Sequence, residues 1–308
     1  MKSALISILL LGVLDSALAQ SAAPEPVAPA EVAPIGAPTA APVSGAAPAS
    51  EAEATPAPEA GAAQLCDAPW FKSGARVQME GEGTMPMSIT MTLRDVMHTA
   101  HGCSAQLEVR SKSALSTLMG PPVVMDQVHE INIDRSVTTS RTRIDSRNAT
   151  INAQARYARM FGAASFTGSG VFNYAGMTIH ENTTLEGETF ESSVALKIYP
   201  LRSDEVVGTM QALHASIIVG SRHVGRKQMI DTVLGRKSCM PITYEKRTSL
   251  GPLMVGDEVL QLEPSVLHVT DWYCPAEAFV LRTEIRQGNT VQKVDVTALE
   301  LTPDDDSH

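Results

Sequence analysis

Met79, Met85, Met87, Met91, Met97, His98, His101 and Cys103 crowd one short stretch of the chain. Thioether and imidazole together are the ligand set that soft copper(I) prefers. Copper binding by Met87, Met91, His98 and His101 is therefore one chemistry this stretch could perform. Its spacing points elsewhere. In Met85-Pro-Met-Ser-Ile-Thr-Met-Thr-Leu93 the apolar side chains fall at every second position, with mainly Ser and Thr between them. That is the alternation of a strand with one buried face. Met85, Met87, Ile89, Met91 and Leu93 share that face, and methionine there is an adaptable filler of irregular space. If the sheet curves around a cavity, these five form its wall and the binding residues for an apolar small molecule or lipid. His98 and His101 fall in the loop beyond, with Asp95 as the nearby acid. No metal site and no cofactor are expected.

Catalytic patterns are missing from the chain. It contains no Gly-x-Ser-x-Gly, no P-loop, no His-Glu-x-x-His and no Gly-x-Gly-x-x-Gly opening a helix. Phe166-Thr-Gly-Ser-Gly-Val171 reads as a turn or bulge. The expectation is a non-enzymatic protein. Asp271-Trp272-Tyr273 offers an aromatic anchor for a partner, but core packing of the rings is the plainer use, with Asp271 ending its strand.

Cys66, Cys103, Cys239 and Cys274 are an even set with no Cys-x-x-Cys among them. Thiol–disulfide exchange and zinc-ribbon chemistry are thereby unsupported. Three pairings are formally open. The spacings of 37 and 35 residues favour the local pairs Cys66–Cys103 and Cys239–Cys274, each closing a loop worth about 4 kcal/mol in the chain-entropy model.

Disulfides need an oxidising compartment, and the first residues provide the route. Lys2, the apolar run Leu5 to Leu14 and Ala17-Leu-Ala19 form a secretory signal, residues 1–19. Residues 20–64 are an Ala/Pro-rich segment holding nine of the 19 prolines and no aromatic, Lys or Arg. Such a segment cannot offset its ordering entropy and serves as a disordered linker. The net charge of −10 divides into −5 for that linker, −3 for the acidic tail 303–308 and −2 for residues 65–302. The body of the protein is nearly neutral, so neither a basic partner nor nucleic acid is implied. No transmembrane segment is expected in the mature chain, which is placed in the periplasm or secreted.

Strand patterns dominate residues 65–302, a β-rich globular domain. Alternation recurs at 105–110, 123–133, 192–199, 242–248, 258–262 and 266–273. Two further runs, 279–286 and 291–301, flank the hairpin turn Gln287-Gly288-Asn289. Helices are expected after the N-cap Ser203, with Val206, Met210 and Leu213 on one face, and in the Ala-rich stretch 148–161. The fold class is mainly β: a large, curved, antiparallel, half-barrel-like sheet with one to three helices.

The late strands carry a resemblance. Gly235-Arg-Lys-Ser-Cys-Met-Pro-Ile-Thr-Tyr244, then Gly251, Gly256, Asp271-Trp-Tyr-Cys-Pro275 and Phe279-Val-Leu-Arg-Thr-Glu284 resemble the end of a class of bacterial periplasmic proteins of unknown function. That class is similar to lipoprotein carriers, in which a curved sheet cups a helix over an apolar cavity. Cys274 and Ala276 depart from it, standing where such turns often have Ala and Gly. The resemblance covers residues 226–301 and implies a fold without catalytic residues. The leading expectation is an exported envelope protein of structural or partner-binding type, with an envelope protein as its partner. Carriage of an apolar ligand or lipid is the alternative, and copper binding is the second.

Overall fold

Threonine, valine and isoleucine at alternating positions suit a pleated surface with one dry face, and strands follow that pattern through the chain. The computed structural model describes Cys66, Ala68, Tyr174 and residues 70–82, 86–99, 102–113, 123–134, 144–154, 157–168 and 179–300. The signal, the linker, the acidic tail, Met85 and His101 lie outside the described residues.

Six long strands come first: β1 Arg76–Glu82, β2 Met87–Thr99, β3 Gly102–Ser113, β4 Val123–Asp134, β5 Ile144–Gln154 and β6 Ala158–Gly168. The short β7 Thr184–Leu185 precedes β8 Glu188–Pro200, β9 Gly208–Val219, β10 Arg222–Val224 and β11 Gln228–Thr232. The last six are β12 Gly235–Ser249, β13 Pro252–Val255, β14 Glu258–Gln261, β15 Ser265–Cys274, β16 Phe279–Gln287 and β17 Thr290–Glu300.

The sheet closes into a 12-stranded antiparallel barrel. β1 is the closing strand: it pairs β2 through Val77↔Met91 and Met79↔Ile89, and β17 through Met79↔Val296 and Gly81↔Val294. A half-barrel is therefore corrected to a full one. The reason lies in Arg76-Val-Gln-Met-Glu-Gly-Glu82, where Val77 and Met79 alternate with polar residues but Gly81, without a side chain, ends the apolar series after two members. The expected helices are also absent among the described residues, apart from helical geometry at Cys66 itself. The Ala-rich stretch forms β5 and β6, and Met210 to Leu213 lie in β9. Ladder pairing on both edges overrides their helix propensity.

Two registers show that four of the later strands are one hairpin. Arg247↔Val266 and Met254↔Val259 belong to the same ladder, so β12–β13 and β14–β15 are two interrupted arms. Gly251 makes the interruption possible. It sits at φ +62°, and a Cβ there would come within 2.8 Å of the His214 carbonyl oxygen, so only glycine passes.

One region of the interior is closed by the chain before β1. Trp70 and Phe71 are buried in a cluster with Leu93, Leu107, Phe279 and Leu281. Trp70 packs edge-on to Phe279, and its Nε1–H donates to the Ala278 carbonyl at 3.2 Å. The cysteines pair as Cys66–Cys103 and Cys239–Cys274, with Cα atoms 5.8 and 4.1 Å apart, and all four join this same cluster. The Pro275–Ala278 turn that the resemblance singled out joins β15 to β16 beside them.

A candidate ligand-binding wall inside the barrel

Around the closed ring, registers assign every strand an inner face. Met87, Ile89, Met91 and Leu93 all point inward, opposite Gly81, Met79, Val77 and Ala75 in turn. The four do not share one environment. Met91 and Leu93 are buried in the cluster that Trp70 and Phe71 fill, and serve as core. Met87 instead packs with Val294 in a small separate cluster, where Met79 and Ile89 are only partly buried. Four of the five residues that the sequence groups on one face therefore point inward, and Met85 lies outside the described residues.

Gly81 gives the wall its shape. A Cβ there would lie 2.6 Å from Met87 Cγ and 2.9 Å from Gln292 Nε2. The side chains of Met87 and Gln292 therefore both occupy the space over the bare backbone of β1. From Val294 the row continues across the ladder to Thr283 and then to Asp271. Asp271 is buried mid-strand rather than ending its strand as the sequence suggested, and Ile242 stands opposite it. Its Oδ1 accepts from the Thr283 hydroxyl at 2.8 Å. Its Oδ2 accepts from the Tyr174 hydroxyl at 2.7 Å and the Tyr244 hydroxyl at 2.9 Å. Three donors satisfy a carboxylate that would otherwise be costly to bury. The resulting wall is mainly apolar with a few convergent polar groups, the make-up of a small-molecule site.

A second methionine-bearing wall lies on β4, β5, β6, β8, β9 and β13. Met125, Met160 and Met210 pack there among Ala149, Ile151, Ala153, Ala212 and Leu253. Ala149 and Ala212 are 0% exposed and Met210 1%, against 7% for Met87 and Gln292 and 8% for Thr283 and Ser111. Both sets are buried, and each has partly buried inward neighbours: Ile198 and Val255 opposite Met160 and Met210, Met79 and Ile89 beside Met87. The first set belongs to a large buried cluster, whereas Met87 has Val294 as its one buried partner in its own cluster.

Gln127 and His129 stand on the inner face of β4, at the boundary between the solid wall and the plugged cluster. His129 Nε2 and Gln127 Oε1 are 3.1 Å apart. Burial pushes the imidazole pKa down to about 4, so it is neutral at ordinary pH.

The copper ligands are not brought together. Met87 and Met91 are inside, His98 is exposed at the far end of β2, and Met97 beside it is 62% exposed. Among the described residues no group of three His, Cys, Asp or Glu could hold a metal ion. Trp272 is half-buried and donates to Glu284 Oε1 at 3.2 Å, whereas Tyr273 is buried edge-on to Tyr174 at 5.9 Å.

Sequence reasoning missed Gln292, Thr283, Asp271, Tyr174 and Tyr244 as parts of the wall. For four of them the signal was present as period-two placement, since 271 and 283 alternate with apolar neighbours at 269 and 285. Which polar residue faces inward depends on closure of the ring. Tyr174 enters from the segment between β6 and β7, which has no such period.

No protein-family model matches the chain, and no curated protein matches it. Two solved structures are similar to it. One, from Bacteroides fragilis, is provisionally described as an exported protein with a YmcC-like fold; its TM-score is 0.40 at 12% identity, over 74% of this chain and 96% of that one. The other, from Parabacteroides distasonis, is provisionally described as a lipoprotein; its TM-score is 0.39 at 12% identity, over the same shares. Neither is described as a lipoprotein carrier.

Proposed function

We propose that this is an exported, water-facing, non-enzymatic barrel that holds an apolar guest against the wall formed by Met79, Met87, Ile89 and Val294. The observation that carries the reading is the loose cover of this inward-facing wall. Met79 and Ile89 stay partly exposed although their positions face the inside of a closed barrel. Both pack on one side against the cluster that Trp70 and Phe71 fill, and the apolar surface they leave uncovered gains roughly 25 cal/mol for each Å² that a guest covers. Thioether side chains adapt to guests of varied shape. This favours ligand carriage over the purely structural or partner-binding role that the sequence put first.

Export is supported by the signal pattern of residues 1–19 and by the two disulfides, which fit the periplasm or the extracellular space. The outer face of β2, β3 and β4 carries charges, while Phe161, Ile218 and Val266 are exposed on β6, β9 and β15. Arg94 pairs with Glu108 at 3.3 Å and Arg110 with Asp126 at 3.6 Å across β2, β3 and β4, whereas a membrane-spanning barrel turns an apolar band outward. The non-enzymatic reading is supported by Asp271, whose two oxygens are committed to hydroxyl donors.

Native mass spectrometry with solvent extraction, on protein purified from its own host, tests the proposal. A co-purifying apolar molecule is expected, lost in Met87→Asp while circular dichroism stays unchanged. Protein free of any guest, or a guest retained in a folded Met87→Asp, would overturn the reading.

A further inference from the structure

Gly81 is buried and paired on both sides, to Met87 on β2 and to Val294 on β17. Its backbone does not call for glycine. The described glycines at positive φ are Gly74, Gly235, Gly251, Gly256 and Gly288, and Gly81 is not among them. A glycine held extended between two ladders gives up conformational freedom and packs nothing, so its use here is the space that it leaves. Met87 Cγ and Gln292 Nε2 take that space, 2.6 and 2.9 Å from where a Cβ would stand. Both belong to flexible side chains rather than to backbone, so a larger residue at 81 displaces them. β1 and β2 close the outward side, and the displacement runs into the barrel.

Along β1 and β2 the inward pairs form successive rows. Val77 with Met91 is buried in the cluster that Trp70 and Phe71 fill, Met79 with Ile89 is partly buried, and Gly81 with Met87 is buried again. Such rows stand about 7 Å apart. The surface that Met79 and Ile89 leave uncovered is thus bounded by packed core on one side and by the Met87 side chain on the other. Only the second boundary can move. Met87 is unbranched and adaptable, and Val294 is its one buried partner in its own cluster.

We propose that Gly81 sets the length limit of the guest: its missing side chain holds Met87 back over β1, and the guest's apolar chain ends against Met87. This rests on the apolar-guest reading above and adds the residue that selects guests by length.

Delipidated full-length protein is titrated with a series of straight-chain primary alcohols. In the natural protein affinity is expected to rise about fourfold with each methylene up to a limiting length, and to level off beyond it. Gly81→Ala is expected to lower the limit by about one methylene and Gly81→Val by about three, the carbons that each adds, with shorter alcohols bound as before. Met87→Ala, which removes the stop, is expected to raise the limit and serves if Gly81→Val does not fold. Gly81→Ala combined with Met87→Ala is expected to bring back at least the natural limit. A limit that none of these substitutions moves, the absence of any limit, or a loss shared equally by short and long alcohols would overturn the length assignment and leave the apolar-guest reading standing. If no alcohol binds, the apolar-guest reading fails as well.

Discussion

Two walls of the same barrel carry buried methionines, and they differ in what stands beside them. Met125, Met160 and Met210 are embedded in a large buried cluster of alanines and branched aliphatics, with partly buried Ile198 and Val255 opposite Met160 and Met210. Met87 packs with one valine, leans over a glycine against a glutamine, and has partly exposed Met79 and Ile89 for neighbours. Composition is similar, but the number of buried partners is not. A methionine stripe thus marks a core or a binding wall according to its cross-strand partners, which only ring closure decides.

The polar flank separates the walls most sharply. Asp271→Leu would strand the hydroxyls of Tyr174, Tyr244 and Thr283 inside the barrel. We expect a loss of roughly 3–5 kcal/mol, read as a lower urea midpoint at unchanged slope. A loss below about 1 kcal/mol would mean that water reaches these groups and that the flank is not sealed.

The boundary between the walls has its own signature in pH. The folded imidazole of His129 has a pKa of about 4, against about 6.5 in an unfolded chain. Between those values the unfolded state binds more protons, so stability falls as pH drops from about 6.5 to about 4. The lost contribution is about 3 kcal/mol. Subtracting the stability curve of His129→Gln from that of the natural protein should isolate this slope. A flat difference would show that the site is wet.

Within the solid wall, Ala212→Leu should overpack. Ala212 faces inward between Val194 and Leu253 and is fully buried. Extra methylenes there cost about 1–3 kcal/mol, measurable by thermal unfolding. A neutral result would open this wall too and erase the contrast.

How much of this was legible in the sequence depends on the range of the cause. Strand alternation is local, so β2, β4, β12, β15, β16 and β17 can be read from residues two apart, as can the inward set 87, 89, 91 and 93. The cysteine pairs follow from loop lengths. β1 and the pair β5–β6 were hidden: Gly81 weakens one pattern, while Ala149, Ala153 and Ala158 favour a helix until ladders on both sides hold them extended. Those strands turn a half-barrel into a barrel. The site could not be completed without them, because Gln292 and Met87 become neighbours only across β1.

The central claim is that the wall around Ile89 borders space the protein does not fill itself. Equilibrium urea unfolding of Ile89→Phe tests it without knowing the guest. With room beside the partly buried Ile89, the larger ring is accommodated and stability stays within about 0.5 kcal/mol of the natural protein. A loss of about 1–3 kcal/mol, the ordinary cost of overpacking, would mean that this wall is as solid as the one around Met210 and would contradict the account.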